Sequence, residues 1–467
     1  MSNTFRRSNI TWDWWLTLIV FALLIMGVVN LYSAAYNPDR TFLFDIKTLY
    51  GKQLMWIGIG VFLGAVISMI DSEYIRKLTP IAFVVVVVLL IAVLFTKPIN
   101  GARSWLGIGP FGVQPSEFSK FTTALMLAYV ISQGRLKQIP AQTVFRAIGL
   151  VIATMLLILI QNDTGTFLVF TAFFFVMYRE GITLDPIILF ITNNIIGLRL
   201  KSTWVGVHFI PVLFVVIFFG ITTLYFAESE HTFRFLPGFT VPGWSMLLAF
   251  LTLIAVISVI LTRQLASQRN RKKMFTLLFI SYFSAISMVG VISFTYLNVL
   301  QYHQKVRIDL WLGKIEDKDG EDYNRNRALA AVGSGGFKGN GYQQALLASP
   351  QSQHVPESET DFIFCVFAEE WGFIGTSILM VLFTLLLVRI VIIAERQRSR
   401  FARIYAYAVG MILFYHFSIN IGMNVGVLPV IGIPLPFFSY GGSSMMAFLV
   451  MIFVLLKLDS QRKDVLA

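Results

Sequence analysis

The chain is dominated by apolar stretches too long for the core of a soluble domain. Twelve of them, 14–34, 54–70, 80–96, 117–133, 144–161, 165–179, 207–227, 243–262, 275–298, 361–394, 403–425 and 439–458, approach or exceed membrane-crossing length. A helix needs roughly 20 residues to cross a hydrocarbon core about 30 Å thick. Within lipid the backbone polar groups can bond only to each other, which leaves helices or a closed barrel, and continuous rather than alternating apolarity selects helices. The expectation is an all-α integral membrane protein, a polytopic helical bundle of about twelve transmembrane helices. Composition agrees, with 56% of residues hydrophobic and only 13% charged, about half the charged share of soluble domains. The segment 186–197 is apolar but short, carries Asn193-Asn194, and reads as interfacial. Arg6-Arg7 before the first stretch and Ser33-Ala34-Ala35 after it imitate a secretory signal. That stretch is longer than a signal core and eleven more follow, so it reads as a helix.

Lys and Arg placement sets the orientation. With the N-terminus inside, the inner loops, tails and adjoining helix ends hold 22 of them and the short outer loops hold 6. The 7 in the long 299–360 segment do not vote, because long segments translocate regardless of charge. Both termini are expected to be cytoplasmic, with 299–360 as a long extracytoplasmic loop. The net charge of +12 is then mostly topological. No basic run is interleaved with aromatics, so nucleic acid is not an expected partner. The single Cys365 excludes an internal disulfide framework, and the five His lack zinc-site spacing.

Charged groups at membrane depth are costly, so each needs a partner or a job. The first set is Arg103-Ser104-Trp105, then Gln114-Pro115-Ser116-Glu117-Phe118-Ser119-Lys120 at an outer helix start. Ser116 is the expected N-cap, and Glu117 and Lys120 are spaced to pair on one face. A capped helix with a self-neutralising pair explains the same residues, and Trp105 suits an interfacial belt. The tight turn Gln161 to Thr166 places Asp163 to cap the next helix. Asp361, Cys365 and Glu369 recur at i, i+4 and i+8, which puts both acids on one stripe and Glu370 elsewhere. Asn420 and Asn424 share a face ahead of the Pro/Gly-rich segment 428–444, whose non-helical backbone needs cover by protein or a cavity. The run Gly333 to Gly341 is neither GxGxxG nor GxxxxGK[ST]. It resembles a phosphate cradle only weakly and reads as a flexible turn.

Together these pieces, with Pro356-Glu357 through Gly372 and Asn420 through Ser443, resemble in order the SEDS family (shape, elongation, division and sporulation), in its RodA-like branch. The resemblance covers 12–180 and 275–458. It implies a peptidoglycan glycosyltransferase of ten helices that polymerises lipid II on the outer face of the bacterial cytoplasmic membrane, in elongation and rod-shape maintenance. The implied partners are lipid II, undecaprenyl-pyrophosphate-linked glycan and a class B penicillin-binding protein. Residues 185–270 are then an insertion carrying two extra helices. Counting back from Gly333, the family's catalytic aspartate falls at Asp317, with Gly320 and Tyr323 at motif positions. Lys318, Asp322 and Asn324–Ala328 depart from the motif, and a shifted register would bring in Glu316 or Asp319.

The implied reaction inverts at MurNAc C1, and Asp317 is the expected general base. Arg103, Lys120 and Lys338 are the expected cations for the departing pyrophosphate. A divalent cation, Mg or Mn, is expected beside Glu316 and Asp319. Trp105, Glu117, Asp163, Glu357, Asp361, Glu369 and Asn420 are expected to line or support the cavity. Two readings of other classes remain open on the residues alone: a lipid-linked-sugar transporter or flippase, and a non-catalytic scaffold recruiting a transpeptidase.

Overall fold

The computed structural model describes residues 12–40, 42–98, 102–107, 112–133, 139–194, 201–227, 233–236, 239–241, 243–265, 267–300, 302–312, 321–349 and 355–463. The helices are α1 (Trp14–Ala34), α2 (Leu49–Met69), α3 (Ser72–Val93), α4 (Pro115–Ser132), α5 (Ala141–Ile160), α6 (Thr164–Phe170), α7 (Ala172–Arg179), α8 (Asp185–Asn194) and α9 (Trp204–Val207). There follow α10 (Phe209–Ala227), α11 (Gly243–Leu265), α12 (Gln268–Asn298), α13 (Tyr302–Trp311), α14 (Glu321–Ser334), α15 (Ile363–Arg396), α16 (Arg400–Asn424) and α17 (Gly442–Ser460). Each of the twelve expected stretches falls on a helix, with α6 and α7 sharing 165–179 and the short α8 on 186–197. One small departure from all-α structure is an antiparallel pairing of β1 (Phe233–Leu236) with β2 (Phe239–Val241).

The chain forms two compact units, Met1–Val207 with Tyr323–Ala467, and His208–Asp322. In the second, α10, α11 and α12 pack on one another. In the first, α17 is the central helix, buried along nearly its whole length. It lies against α2 where Gly60 and Gly64, four residues apart, leave room for Leu449 and Phe453. A Cβ on Gly64 would come within 2.0 Å of the Phe453 ring. Small residues at this spacing let membrane helices approach closely when hydrophobic burial cannot drive them together.

α1 and α15 run antiparallel, which ties the two ends of the first unit in different ways. At one end Asp13, the N-cap of α1, accepts from Arg389 Nη2 (2.8 Å) and pairs with Arg396 (2.5 Å). Asp459, at the end of α17, accepts from Arg396, Arg462 and Gln397. Glu180 pairs with Arg403 at 2.9 Å. Each of these buried acids has bidentate or multiple cationic partners, which is how a charge survives near apolar surroundings. At the other end Asn30 Nδ2 donates to Ile363 O at 3.1 Å, and Ser33 donates to Glu370.

Candidate functional site

Three helix starts and two loops converge at the end of the first unit away from those Arg residues. α4 begins with Pro115 in the first helical position, behind Gln114 as N-cap. Proline suits that position because its φ is preset and its missing N–H is one the helix would not use. Ser116, the expected N-cap, is therefore already in the first turn. Its hydroxyl donates to Asp163 Oδ2 at 2.9 Å, beside Gln114 Nε2 at 2.8 Å. Asp163 Oδ1 accepts from Thr166 N–H at 3.0 Å and caps α6 as the turn predicts. One carboxylate thus fastens two helix starts together.

Glu117 and Lys120 pair at 2.8 Å, both buried. Lys120 Nζ also lies 2.8 Å from His416 Nε2 and 5.2 Å from the centre of the Phe448 ring. His416 Nδ1 sits 3.1 Å from Pro434 O. A carbonyl can only accept, so Nδ1 carries the proton and the Nε2 lone pair faces the ammonium. The lysine is held between a carboxylate, a neutral imidazole and an aromatic face.

Above this group opens a cavity of about 650 Å³. Gln114, Glu117, Asp163 and Thr166 form one wall, Glu357, Glu359, Thr360 and Asp361 a second, and Pro434, Tyr440 and Gly442 to Ser444 a third, with Trp56, Trp105 and His416 between. Burial pushes the Asp361 carboxyl up to about 7, and the neighbouring Glu357 carboxylate adds to the rise. The first turn of α17 faces the cavity, and no side chain caps it. Its leading N–H groups lack intrahelical acceptors, which makes a helix start of this kind an anion site. Gly442 is needed there: a Cβ would stand 2.6 Å from Trp56 Nε1.

Of the residues expected to form the site, Trp105, Glu117, Asp163, Glu357 and Asp361 line this cavity, and Lys120 lies directly behind Glu117. Asn420 does not line it. Its amide donates to Asp361 O (2.9 Å) and Ile433 O (2.7 Å), joining two loops that do. Arg103 is exposed, with Nη1 3.3 Å from Leu94 O, and Lys338 is exposed away from the cavity. Asp317, Glu316 and Asp319 lie outside the described residues.

Two expectations are corrected by packing. Asp361 precedes α15 instead of sharing its stripe, and Glu369 turns away from the cavity to accept from Leu346 N–H (2.8 Å), Leu347 N–H (2.9 Å) and Ala348 N–H (2.8 Å). The glycine run is not an open phosphate-binding turn but a backbone joint. Asn340 N–H donates to Glu369 O and Gly341 N–H to Glu370 O, while Phe373 N–H and Ile374 N–H return to Gly336 O and Phe337 O. These bonds enter α15 at Gly372, whose φ of +61° breaks the helix. Cβ atoms on Gly335, Gly339 or Gly372 would meet backbone at 2.1–2.3 Å. His416 and Trp56 were missed, yet His416, Asn420 and Asn424 recur at i, i+4 and i+8, a spacing that marks one helix face.

A family model for FtsW/RodA/SpoVE cell cycle proteins matches residues 14–205 and 244–464. The peptidoglycan glycosyltransferase RodA of Treponema pallidum is 31% identical over 465 residues, spanning 96% of this chain and 98% of its own. The peptidoglycan glycosyltransferase MrdB of Escherichia coli is 26% identical over 450 residues, spanning 96% and 93%. A chain from a peptidoglycan synthase complex that coordinates polymerization and crosslinking superposes with a TM-score of 0.62 at 23% identity, over 97% of this chain and 99% of that one. That likeness is one of fold.

Proposed function

Because this chain belongs to the FtsW/RodA/SpoVE family and is a peptidoglycan glycosyltransferase, we propose that it polymerises lipid II by an inverting displacement with Asp317 as general base. The GlcNAc 4-hydroxyl of one lipid-linked disaccharide attacks MurNAc C1 of another. The C1–O bond to undecaprenyl pyrophosphate breaks with its electron pair on the leaving oxygen, and the hydroxyl proton passes to the aspartate. An α-linked donor and a β-linked product require inversion, so one base and one displacement suffice.

The observation that carries this reading is the cavity at the starts of α4, α6 and α17. Its uncapped α17 start offers N–H groups to the departing pyrophosphate, and the Lys120 ammonium adds positive charge behind the wall. Exposed Arg103 and Lys338 are left to steering at most. Asn420 and Asp163 hold the walls. A divalent cation is proposed beside Glu316 and Asp319, where it would screen the pyrophosphate charge. Among the described residues no three His, Cys, Asp or Glu side chains converge to hold one, and Glu357 with Asp361 supplies two carboxylates.

The Arg-rich end is proposed to face the cytoplasm together with both termini, and the cavity to face outward at the cytoplasmic membrane of a bacterium. A class B penicillin-binding protein is the proposed partner, supported by the fold shared with a chain of a synthase complex. The segment 185–270 is proposed as an added surface for a partner. Residues 206–243 within it lie outside the family match.

The test is polymerisation of lipid II by the purified protein in detergent, without a membrane potential. Wild type should make glycan, and Asp317→Ala should make none while melting at the wild-type temperature. Full polymerisation by Asp317→Ala would sink the assignment and move the base to Glu316 or Asp319. No polymer from wild type, with or without its partner, would favour transport or scaffolding.

A further inference from the structure

A second polar chamber lies away from the cavity, where the last turn of α1 and the first half of α15 meet the segment 343–349. It measures about 30 Å³ and is lined by Ser33, Tyr36, Gln343, Ala345, Ser349 and Glu370, among others. That is room for one water-sized particle. Glu370 is 1% exposed. Its Oε1 accepts from the Ser33 hydroxyl and from Gln343 N–H at 3.0 Å. Its Oε2 has no donor among the described residues.

The adjacent Glu369 makes the contrast plain. Three backbone N–H groups at 2.8–2.9 Å disperse its charge over the turn 346–348. Glu370 has one N–H and one hydroxyl for a carboxylate that offers about four acceptor positions. No Lys, Arg or His lines the chamber. One turn back on α1, Asn30 Oδ1 is another buried acceptor without a donor among the described residues. Oxygen acceptors are in excess here and a positive charge is what they lack.

We propose that this chamber binds one hard monovalent cation, Na⁺ by size and charge, through Glu370 and the neutral oxygens around it. Hard cations take oxygen ligands, and a calcium site would ordinarily bring 6–8 of them with several carboxylates. A single undispersed carboxylate and neutral oxygens in a one-particle chamber match a small monovalent ion. Bound there, the ion clamps α1 to the segment that the glycine joint anchors on α15. It therefore stabilises the fold, and it does so independently of the polymerisation chemistry.

The experiment is thermal melting of the purified full-length protein in detergent, with NaCl titrated against choline chloride at constant ionic strength. The melting temperature should rise with the logarithm of the Na⁺ concentration once that exceeds the dissociation constant, as it does for any ligand that binds only the folded state. Glu370→Gln should abolish the response. Ser33→Ala should displace that rise to about tenfold higher Na⁺ concentration, the worth of one polar contact to a charged group. Equal melting in NaCl and choline chloride would overturn the proposal, as it would if a proton or a water satisfied Glu370. So would a Na⁺ response retained in Glu370→Gln, or a larger response to CaCl₂ at micromolar concentration. If Glu370→Gln fails to fold, a Na⁺ response in Ser33→Ala that is not displaced to higher concentration overturns it instead.

Discussion

Lys120→Met isolates the energetics of the buried group behind the cavity wall. The lysine side chain is wholly buried, Glu117 is nearly so, and they pair at 2.8 Å. Methionine keeps the length and apolar stem but leaves the Glu117 carboxylate facing an imidazole lone pair and no cation. Removing one member of a buried ion pair costs about 3–5 kcal/mol, because the survivor stays desolvated and unpaired. Removing both charges costs less, since a neutral Gln amide beside Met leaves no buried charge unpaired. The cycle of wild type, Lys120→Met, Glu117→Gln and the double variant should therefore show a coupling of about 3 kcal/mol or more, at the strong end for contacting residues. Melting of the detergent-solubilised protein reads the stability, and lipid II polymerisation reads the activity in parallel. The double variant should recover most of the melting temperature lost by Lys120→Met while its polymerisation stays low. Additive effects on melting would refute the buried pair. Recovery of both readouts together would refute any role for the ammonium beyond neutralising Glu117.

Three further outcomes follow from single positions. Asp361 has a folded pKa raised to about 7, so the folded state holds its proton where the unfolded chain has released it. Its contribution to stability is full below pH about 4 and is lost as pH rises toward 7; Asp361→Asn should flatten the fall in melting temperature across that window. Gly372→Ala places a Cβ 2.3 Å from Gly339 N at a φ of +61° and should abolish recovery of monodisperse protein on size exclusion, whereas Gly336→Ala, with no atom within 4 Å of its Cβ, should cost only about 1–2 kcal/mol in melting. Gly442→Ala pushes Trp56 from its place at the α17 start and should lower kcat/KM for lipid II with little change in melting.

The helices were legible because each is a run of apolar residues at least several turns long, and hydropathy does not depend on what packs against what; eight of them are long and apolar enough among the described residues to cross a membrane. Gln161 to Thr166 and the Glu117–Lys120 spacing were legible for a similar reason: capping and i, i+3 pairing are local. What sequence could not reveal are contacts set by chain segments far apart. Glu369 and Glu370 are neighbours in an apolar helix, yet one is satisfied by backbone 21–23 residues away and the other reaches Ser33, 337 residues away, with one oxygen. Asn420 looked like a cavity residue, and its partners are two loop carbonyls. The run at 333–341 looked flexible because glycine permits many conformations. The same absence of a side chain also permits backbone to touch backbone, and nothing within those nine residues distinguishes the two uses.

The placement of charge narrows how the cavity can hold a pyrophosphate. Arg103 and Lys338, the freest cations expected at the site, lie outside its walls, and Lys120 already faces a carboxylate. Glu117, Asp163, Glu357, Glu359 and Asp361 all line the cavity. A mobile cationic side chain dropped among so many acids would pair with one of them and be neutralised. Helix N–H groups cannot be neutralised in that way, because they are fixed and their partial charge is spread over a turn. Asp163 offers its oxygens to Gln114, Ser116 and Thr166, so its charge is spent on holding the α4 and α6 starts. The α17 start carries no acid, Gln53 Oε1 accepts only from Gly441 N–H (3.2 Å) ahead of its first turn, and Gly441-Gly442 keep it small. On the proposed chemistry, a diphosphate leaving group would meet its strongest fixed positive field at Gly442 to Ser444. On that chemistry the acids opposite would serve the sugar hydroxyls rather than the phosphates.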